Sequence, residues 1–238
     1  MPGVDPQTTP EPPWLQRPER SRRTPLSRDA IVEAALTVLD REGYDGFSMR
    51  AVADELGTGP ASLYWHVRNK DELLNLVIDR VAGEIEVPDP DPEHWQDQVK
   101  DLARQMRTVY HRHPGVARIT LGRIPVGPNV MEVNERILAI LRAAELPDRT
   151  TAYVVDLFSL YIGAYAYEES LGLASPTGED LPPDQVVGMI KGYFASLPPE
   201  RFPNTLAIVD QLFGGDFDDR FEFGLDVLVK GLAATREP

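Results

Sequence analysis

The chain has 238 residues, no cysteine and a formal net charge of −14 at neutral pH. Its length allows one or two domains, and the lack of cysteine excludes disulfides, thiolate zinc sites and cysteine nucleophiles. No apolar run reaches the roughly 18 residues of a membrane span, and the N-terminus lacks the pattern of a secretory signal, so we expect a cytoplasmic protein.

The negative charge is unevenly distributed. Residues 15–70 carry nine Lys and Arg against eight Asp and Glu, whereas residues 71–238 carry fifteen against twenty-eight. Residues 17–28 form a basic arm with five arginines and one acid. An acidic body with a basic end is typical of a protein that meets phosphate at one end only. A merely solvated tail would explain the arm equally well.

The first part of the chain is predicted to be an extension followed by a helix. Residues 1–24 are rich in proline and poor in large apolar residues, which favours disorder. A helix is predicted over residues 27–42, because its apolar positions recur at helical spacing and Gly43 can end it.

Residues 48–70 contain two short helices joined by a glycine turn. Ser48 can cap the first helix, whose apolar face is formed by Met49, Val52, Ala53 and Leu56. Gly57 can supply a positive φ, and Pro60 suits the first position of a second helix, predicted over residues 60–67. This spacing predicts a helix-turn-helix unit that reads DNA. An ordinary helical hairpin, with its Trp and Tyr in the core, has the same spacing.

The remainder is predicted to be helical throughout. Asn69 and Glu72 are placed for a capping box at the start of a helix that reaches residue 85, and the prolines of residues 87–93 mark a stiff linker. Helices are predicted over residues 94–113, 115–121, 129–144, 148–173, 184–197, 200–213 and 216–236, with a loop at 175–183. The fold class is therefore all-α, with an extension (1–24), a helix-turn-helix domain (25–70), a connecting helix (71–86) and a larger helical domain (87–238).

Three segments resemble the TetR family of repressors. LYWHVRNK (residues 63–70) is similar to the family's recognition helix and the start of its fourth helix. WQD (95–97) and FEFGLDVLVKGL (221–232) resemble the fifth and last helices of the tetracycline-repressor branch. The resemblance implies a repressor that binds a palindromic double-stranded DNA operator as a homodimer and is released when a small molecule enters the C-terminal domain.

The resemblance also assigns the DNA contacts. Base readers would be Pro60, Ala61 and Ser62, with Tyr64 touching base or sugar; phosphate contacts would come from Ser48, Arg50, Trp65, His66 and Lys70. The tetracycline repressor has glutamine and proline where Pro60 and Ala61 stand, so we expect a different operator. Trp65 could instead be a partly buried prop for the recognition helix.

The dimer interface is expected on the eighth and last helices. One apolar stripe of the last helix is formed by Phe217, Phe221, Leu225, Leu228 and Leu232. Gly224 and Gly231 would allow close helix approach. A stripe that packs inside one chain would have the same pattern.

An effector pocket is expected inside the larger domain. Its predicted lining is Leu102, Met106, Thr120, Met131, Leu138, Phe158, Tyr161 and Tyr165, although such residues are also typical of a core. The magnesium–tetracycline repressors carry His, Asn, Phe and His at positions that align roughly with Glu86, Leu102, Met106 and Thr120. None of these is retained, so we expect an apolar or aromatic effector, with no metal and no cofactor.

Catalysis is not indicated. His111 and His113 stand about 200° apart on a helix, which prevents a shared metal, and no G-x-S-x-G, phosphate loop or H-E-x-x-H is present. The remaining alternatives are an activator, or a regulator that responds to a protein partner.

Overall fold

The computed structural model describes residues 26–172, 176–179 and 181–236. All regular secondary structure in these ranges is helical, which confirms the all-α prediction. The predicted N-terminal extension, four of the five arginines of the basic arm and part of the predicted 175–183 loop lie outside the described residues.

Twelve helices occur within the described ranges. They are α1 Arg28–Gly46, α2 Met49–Glu55, α3 Pro60–Leu63, α4 Lys70–Ala82, α5 Trp95–Arg112, α6 Pro114–Thr120, α7 Pro128–Ala143, α8 Asp148–Leu171, α9 Pro183–Ala195, α10 Pro203–Ala207, α11 Val209–Leu212 and α12 Phe217–Ala233. Below, α1–α3 are called the head and α5–α12 the body, and α4 connects them. Within the described residues no helix is long and apolar enough to cross a bilayer.

Several boundaries differ from the predictions. The regular part of α1 ends where expected, because Gly43 has φ 68° and ψ −178°. α3 is shorter than predicted and passes into turns after Leu63. The helix predicted over residues 200–213 is wrong, since Ile208 leaves the helical conformation (φ −123°, ψ 13°) and separates α10 from α11.

The predicted capping box at α4 is only half formed. The Asn69 side chain accepts a hydrogen bond from the backbone N–H of Glu72 (2.8 Å), as expected. The Glu72 carboxylate, however, accepts from the backbone N–H of Arg68 (2.6 Å) and also from the Arg28 guanidinium (2.8 Å). Glu72 therefore fixes the link between α3 and α4 and ties it to the start of α1.

The head packs on the body through α4 and α6. Gly115 lies at the crossing of α6 with α1, and a Cβ there would come 2.8 Å from the carbonyl oxygen of Leu39. His113 bridges the two parts, with Nδ1 2.9 Å from Asp40 on α1 and Nε2 3.3 Å from Glu84 after α4. The position of the head therefore depends on α6 and on the end of α4.

The body is built around α8, which packs against α5, α6, α7 and α12. A largely buried ion pair joins Arg107 of α5 to Glu169 of α8, and Asp218 of α12 and His111 extend it. The Arg107 guanidinium also lies 4.6 Å from the ring centroid of Phe221. α9 buries Val186 and packs with α10 and α11, where the rings of Phe194 and Phe213 meet at 5.1 Å.

Candidate functional sites: an exposed helix face and an apolar cavity

The turn between α2 and α3 has the conformation expected from the sequence. The Ser48 hydroxyl caps α2 by accepting from the backbone N–H of Ala51 (3.1 Å). Gly57 has φ 61°, and the N–H of Thr58 donates to the carbonyl oxygen of Ala53 (2.9 Å). Ala53 is fully buried, so α2 and α3 meet closely at this point.

α3 and the turn after it present an exposed face. Leu63 and Val67 are buried and hold this segment on the head, whereas Trp65 is 88% exposed and Tyr64 is 53% exposed. Pro60 and Ala61 are exposed and Ser62 is half-buried. The alternatives in which Trp65 props the helix or belongs to a hairpin core are therefore wrong. Aromatic and hydroxyl side chains on such an exposed face can reach the edges and backbone of DNA.

Lys70 is already engaged within the protein. Its ammonium donates to the carbonyl oxygen of Phe47 (2.8 Å) and lies 4.7 Å from the ring centroid of Tyr44. Arg50 and Arg68 also pair within the protein, with Asp54 (3.8 Å) and Glu72 (3.2 Å), but their side chains are highly exposed. His66 is half-buried. Arg68 is thus a further exposed cation beside α3 that was not among the predicted contacts, although its charge next to the recognition segment could have indicated it.

A cavity of about 340 Å³ lies between α4, α5, α6, α7 and α8. Its wall is mainly aliphatic and aromatic, with polar groups from Tyr110, Thr120, Arg123, Asn134, Asp156 and Ser159. Burial raises the pKa of Tyr110 against a weaker lowering by Thr120, so its hydroxyl stays protonated at neutral pH and can donate a hydrogen bond. The wall can therefore enclose an apolar ring system and orient it by a few hydrogen bonds.

Half of the predicted lining residues reach this cavity, namely Leu102, Met106, Thr120 and Phe158. Met131 and Leu138 do not, because each follows a lining residue of α7 and is rotated from it by about 100°. Tyr161 and Tyr165 face α12 instead. The Tyr161 hydroxyl donates to the carbonyl oxygen of Phe221 (2.7 Å), and burial raises the pKa of Tyr161 well above its ordinary value.

The predicted dimer stripe faces largely inward within one chain. Phe221, Leu225 and Leu232 are buried, and Phe217 and Leu228 are half-buried, because this face of α12 packs on α5 and α8. The outward face of α12 carries Phe223, which is 73% exposed, and Val227. The neighbouring helix α8 exposes Tyr153, Leu157 and Leu160.

In the described ranges, no cluster of three or more His, Asp or Glu side chains is placed to hold a metal ion.

The helix-turn-helix head on an all-α body with a largely apolar cavity defines a class of one-component regulators. Two family models match the chain: bacterial regulatory proteins of the tetR family over residues 31–77, and the tetracyclin repressor-like C-terminal domain over residues 87–236. The chain belongs to the TetR family.

Relatives align along most of the chain. The repressor DrrR1 of Streptomyces coeruleorubidus is 33% identical over 222 residues, which is 91% of this chain and 81% of DrrR1. The class A tetracycline repressor from Escherichia coli is 29% identical over 216 residues, 90% of this chain and 93% of the repressor.

Solved structures of ActR from Streptomyces coelicolor are also similar. Apo ActR shows 42% identity and a TM-score of 0.81, with 90% of this chain and 97% of ActR covered. ActR in complex with actinorhodin gives the same identity and TM-score, with 90% and 100% covered. The chain described here is accordingly a ligand-responsive transcriptional repressor.

Proposed function

We propose that two copies of this repressor read a palindromic operator and that an effector in the cavity releases them from it. The observation that carries the proposal is the connection between the two sites. The head exposes a face of α3, and the wall of the cavity includes α4 and α6, the two helices on which the head packs. Residues 25–70 would read DNA, α4 would connect, and residues 87–238 would bind the effector and the second copy. Such a regulator would act in the cytoplasm, where the operator lies.

The base readers would be Pro60, Ala61 and Ser62, with Tyr64 beside them. Trp65, His66, Arg50 and the N-terminal end of α2 at Ser48 would contact phosphates, joined by Arg68. Lys70 would serve mainly to hold the start of α4 on the head, because its ammonium is bound to Phe47. Phosphate contacts set register and salt dependence, while the first residues of α3 set sequence preference.

A twofold dimer would bring two such faces to one operator. The apolar residues that stay exposed on α8 and α12 lie on adjacent helices and suit a self-complementary interface. The interface that we propose is therefore the face of Phe223, Val227 and Leu160, while the stripe of Phe221 and Leu225 packs inside each chain.

The effector is proposed to be an aromatic, largely apolar molecule. The cavity wall supports this, and actinorhodin, which is bound in the solved complex of ActR, is the first compound to test. Leu102, Met106 and Thr120 occupy the cavity where the magnesium–tetracycline repressors carry other residues. A magnesium chelate would lack its ligands here.

Selection from random double-stranded DNA by the purified protein tests the proposed function. We expect recovery of a palindrome with two half-sites about one helical turn apart or a multiple of it. Recovery of an asymmetric single site, or of no preferred sequence, would contradict the proposal. Addition of actinorhodin to the complex then tests for release.

Replacing Ser62 with Ala should change base preference at one position of each half-site. If its hydroxyl makes a specific base contact, the loss is about 1–3 kcal/mol per half-site. Arg68→Gln is the matched control, because loss of a phosphate contact should weaken all sequences similarly and reduce the salt slope by about one per protomer. Randomised-site binding measures both, and unchanged selectivity in Ser62→Ala would remove this residue from the readers.

Replacing Phe223 with Glu should convert the dimer into a monomer at micromolar concentration, since the interface would bury an unpaired charge. Met131→Glu is the control, because Met131 is also exposed but lies on α7, away from the proposed interface. Light scattering coupled to gel filtration gives the mass of each variant. A Phe223→Glu protein that stays dimeric would place the interface elsewhere.

A further inference from the structure

Arg123 stands at the boundary between the cavity and the head. Among the described residues that line the cavity it is the one cation, and Asp156 is the one anion. Arg123 lies in the loop after α6 and is 24% exposed, and its guanidinium donates to the Asp71 carboxylate in the first turn of α4 (2.8 Å). Arg123 therefore borders the cavity while its guanidinium holds the start of α4.

We propose that Arg123 selects effectors that carry a carboxylate, and that the effector's carboxylate takes the place of Asp71 on the guanidinium. The inference rests on the proposed effector role of the cavity. It adds a chemical class to the expected aromatic molecule, namely an aromatic acid, and it names the contact by which occupancy reaches the head.

The guanidinium suits this role because its planar group can give two parallel hydrogen bonds to a carboxylate. Val130, which lines the same cavity wall, is apolar and buried, so water competes less for an anion on the inner side of this wall. The present partner is a weak competitor. Asp71 is 74% exposed, and an ion pair with an exposed carboxylate contributes little because solvent screens it.

Loss of the Arg123–Asp71 ion pair would free the start of α4, which directly follows the proposed DNA-reading residues. Asp71 follows Lys70, whose ammonium holds the carbonyl oxygen of Phe47 in the head. An effector can shift an equilibrium only through contacts that differ between two states. An effector carboxylate meets this requirement. It binds freely in the state in which the Arg123 guanidinium has left Asp71, whereas in the paired state it must first displace the Asp71 carboxylate.

Matched neutral and anionic probes test the proposal. Anthraquinone-2-carboxylate and its methyl ester share one ring system and differ in charge, and their affinities can be measured by isothermal titration calorimetry. The wild-type protein should bind the acid about tenfold more tightly than the ester, as expected for a charged hydrogen bond. Arg123→Gln should bind both equally, and Arg123→Lys should keep part of the preference.

Two further variants separate this role from a general effect of charge. Arg136→Gln removes a guanidinium from α7 that pairs with Asp89 and is not in the cavity wall, so the preference for the acid should persist. Asp71→Asn removes the competitor and should tighten acid binding severalfold without changing ester binding. Circular dichroism confirms that each variant is folded.

Three results would overturn the inference: equal affinity for acid and ester in the wild type, binding of neither probe, or a preference that survives in Arg123→Gln. These differ from failure of the proposed function, which selection of a palindrome tests without any ligand. If the ester binds the protein as tightly as the acid and is equally able to release it from the operator, the effector role of the cavity is supported and the proposed selection for a carboxylate is wrong.

Discussion

Replacing Arg107 with Ala should lower the free energy of unfolding by about 3–5 kcal/mol, a large part of the stability of an ordinary domain. Arg107 and Glu169 are both only 11% exposed, and Arg107 also contacts Asp218 and the ring of Phe221. The variant leaves the Glu169 carboxylate largely buried, with His111 as its remaining hydrogen-bond partner. Urea unfolding followed by circular dichroism measures the difference.

Arg104→Ala is the matched control on the same helix. Arg104 pairs with Glu222 and Asp101, but these groups are far more exposed, so its loss should cost no more than about 1 kcal/mol. Equal destabilisation by the two variants would show that burial of the Arg107–Glu169 pair is not what matters.

The loss in free energy of unfolding caused by Arg107→Ala should also depend on pH. Burial acts to raise the pKa of Glu169, but hydrogen bonds from Arg107 and His111 outweigh it and hold the pKa below its ordinary value of 4.5. In the wild type this contribution to stability is present above that value and is lost as the pH falls below it. Without Arg107, burial favours the protonated carboxyl, so the deficit should narrow between about pH 7 and pH 4. A deficit that is constant over this range would contradict the assignment.

Replacing Gly115 with Ala should weaken operator binding strongly while the body stays folded. The added methyl group would lie 2.5 Å from Cγ of Leu39 and 2.8 Å from its carbonyl oxygen, so α6 and α1 could not keep their present distance. Overpacking of this kind costs about 1–3 kcal/mol. If the head moves to relieve this steric clash, α3 is misplaced in each protomer. We therefore expect the affinity for the operator to fall by about tenfold or more.

Gly163→Ala provides the control for Gly115→Ala. A Cβ at Gly163 would meet Leu121 and Thr120 at 3.6 Å, an ordinary contact, so this variant should bind the operator normally. Fluorescence anisotropy with the selected operator and thermal unfolding separate DNA affinity from stability. Normal affinity in Gly115→Ala would show that the head tolerates movement of α1 on α6.

The order and approximate bounds of most helices could be predicted, because caps and glycine stops are local. Ser48, Gly57 and Asn69 act within a few residues of their own positions, and the structure shows each as expected. The break at Ile208 could not be predicted, since the apolar spacing of residues 200–213 continues across it. The hydrogen-bond donor to the Glu72 carboxylate could not be predicted either. A capping box requires the backbone N–H of Asn69, but the turn brings the N–H of Arg68 to the carboxylate instead.

The candidate sites could be predicted less well than the helices. Helical spacing identifies an apolar face but not what covers it, and α12 has apolar residues on both its inner and its outer face. The stripe of Phe221 therefore looked like an interface, although it packs on α5 and α8. In the same way helical spacing predicts that Tyr161 lines the cavity, whereas the rotation of α8 directs its side chain to α12. Arg123 had no local pattern, because its significance depends on a contact with Asp71, 52 positions away.

In α3 and the turn after it, the exposed residues and the buried residues are separate sets, so the exposed ones can change during evolution without disturbing the core. Leu63 and Val67 keep the segment on the head, while Ala61 and Tyr64 are exposed and lie outside both the core and the first position of the helix. Surface substitutions away from caps and cores usually change stability by less than about 0.5 kcal/mol. A duplicated gene could thus acquire a new target sequence by changes at the outward positions without passing through an unstable intermediate, and a library randomised there could retarget the protein by design.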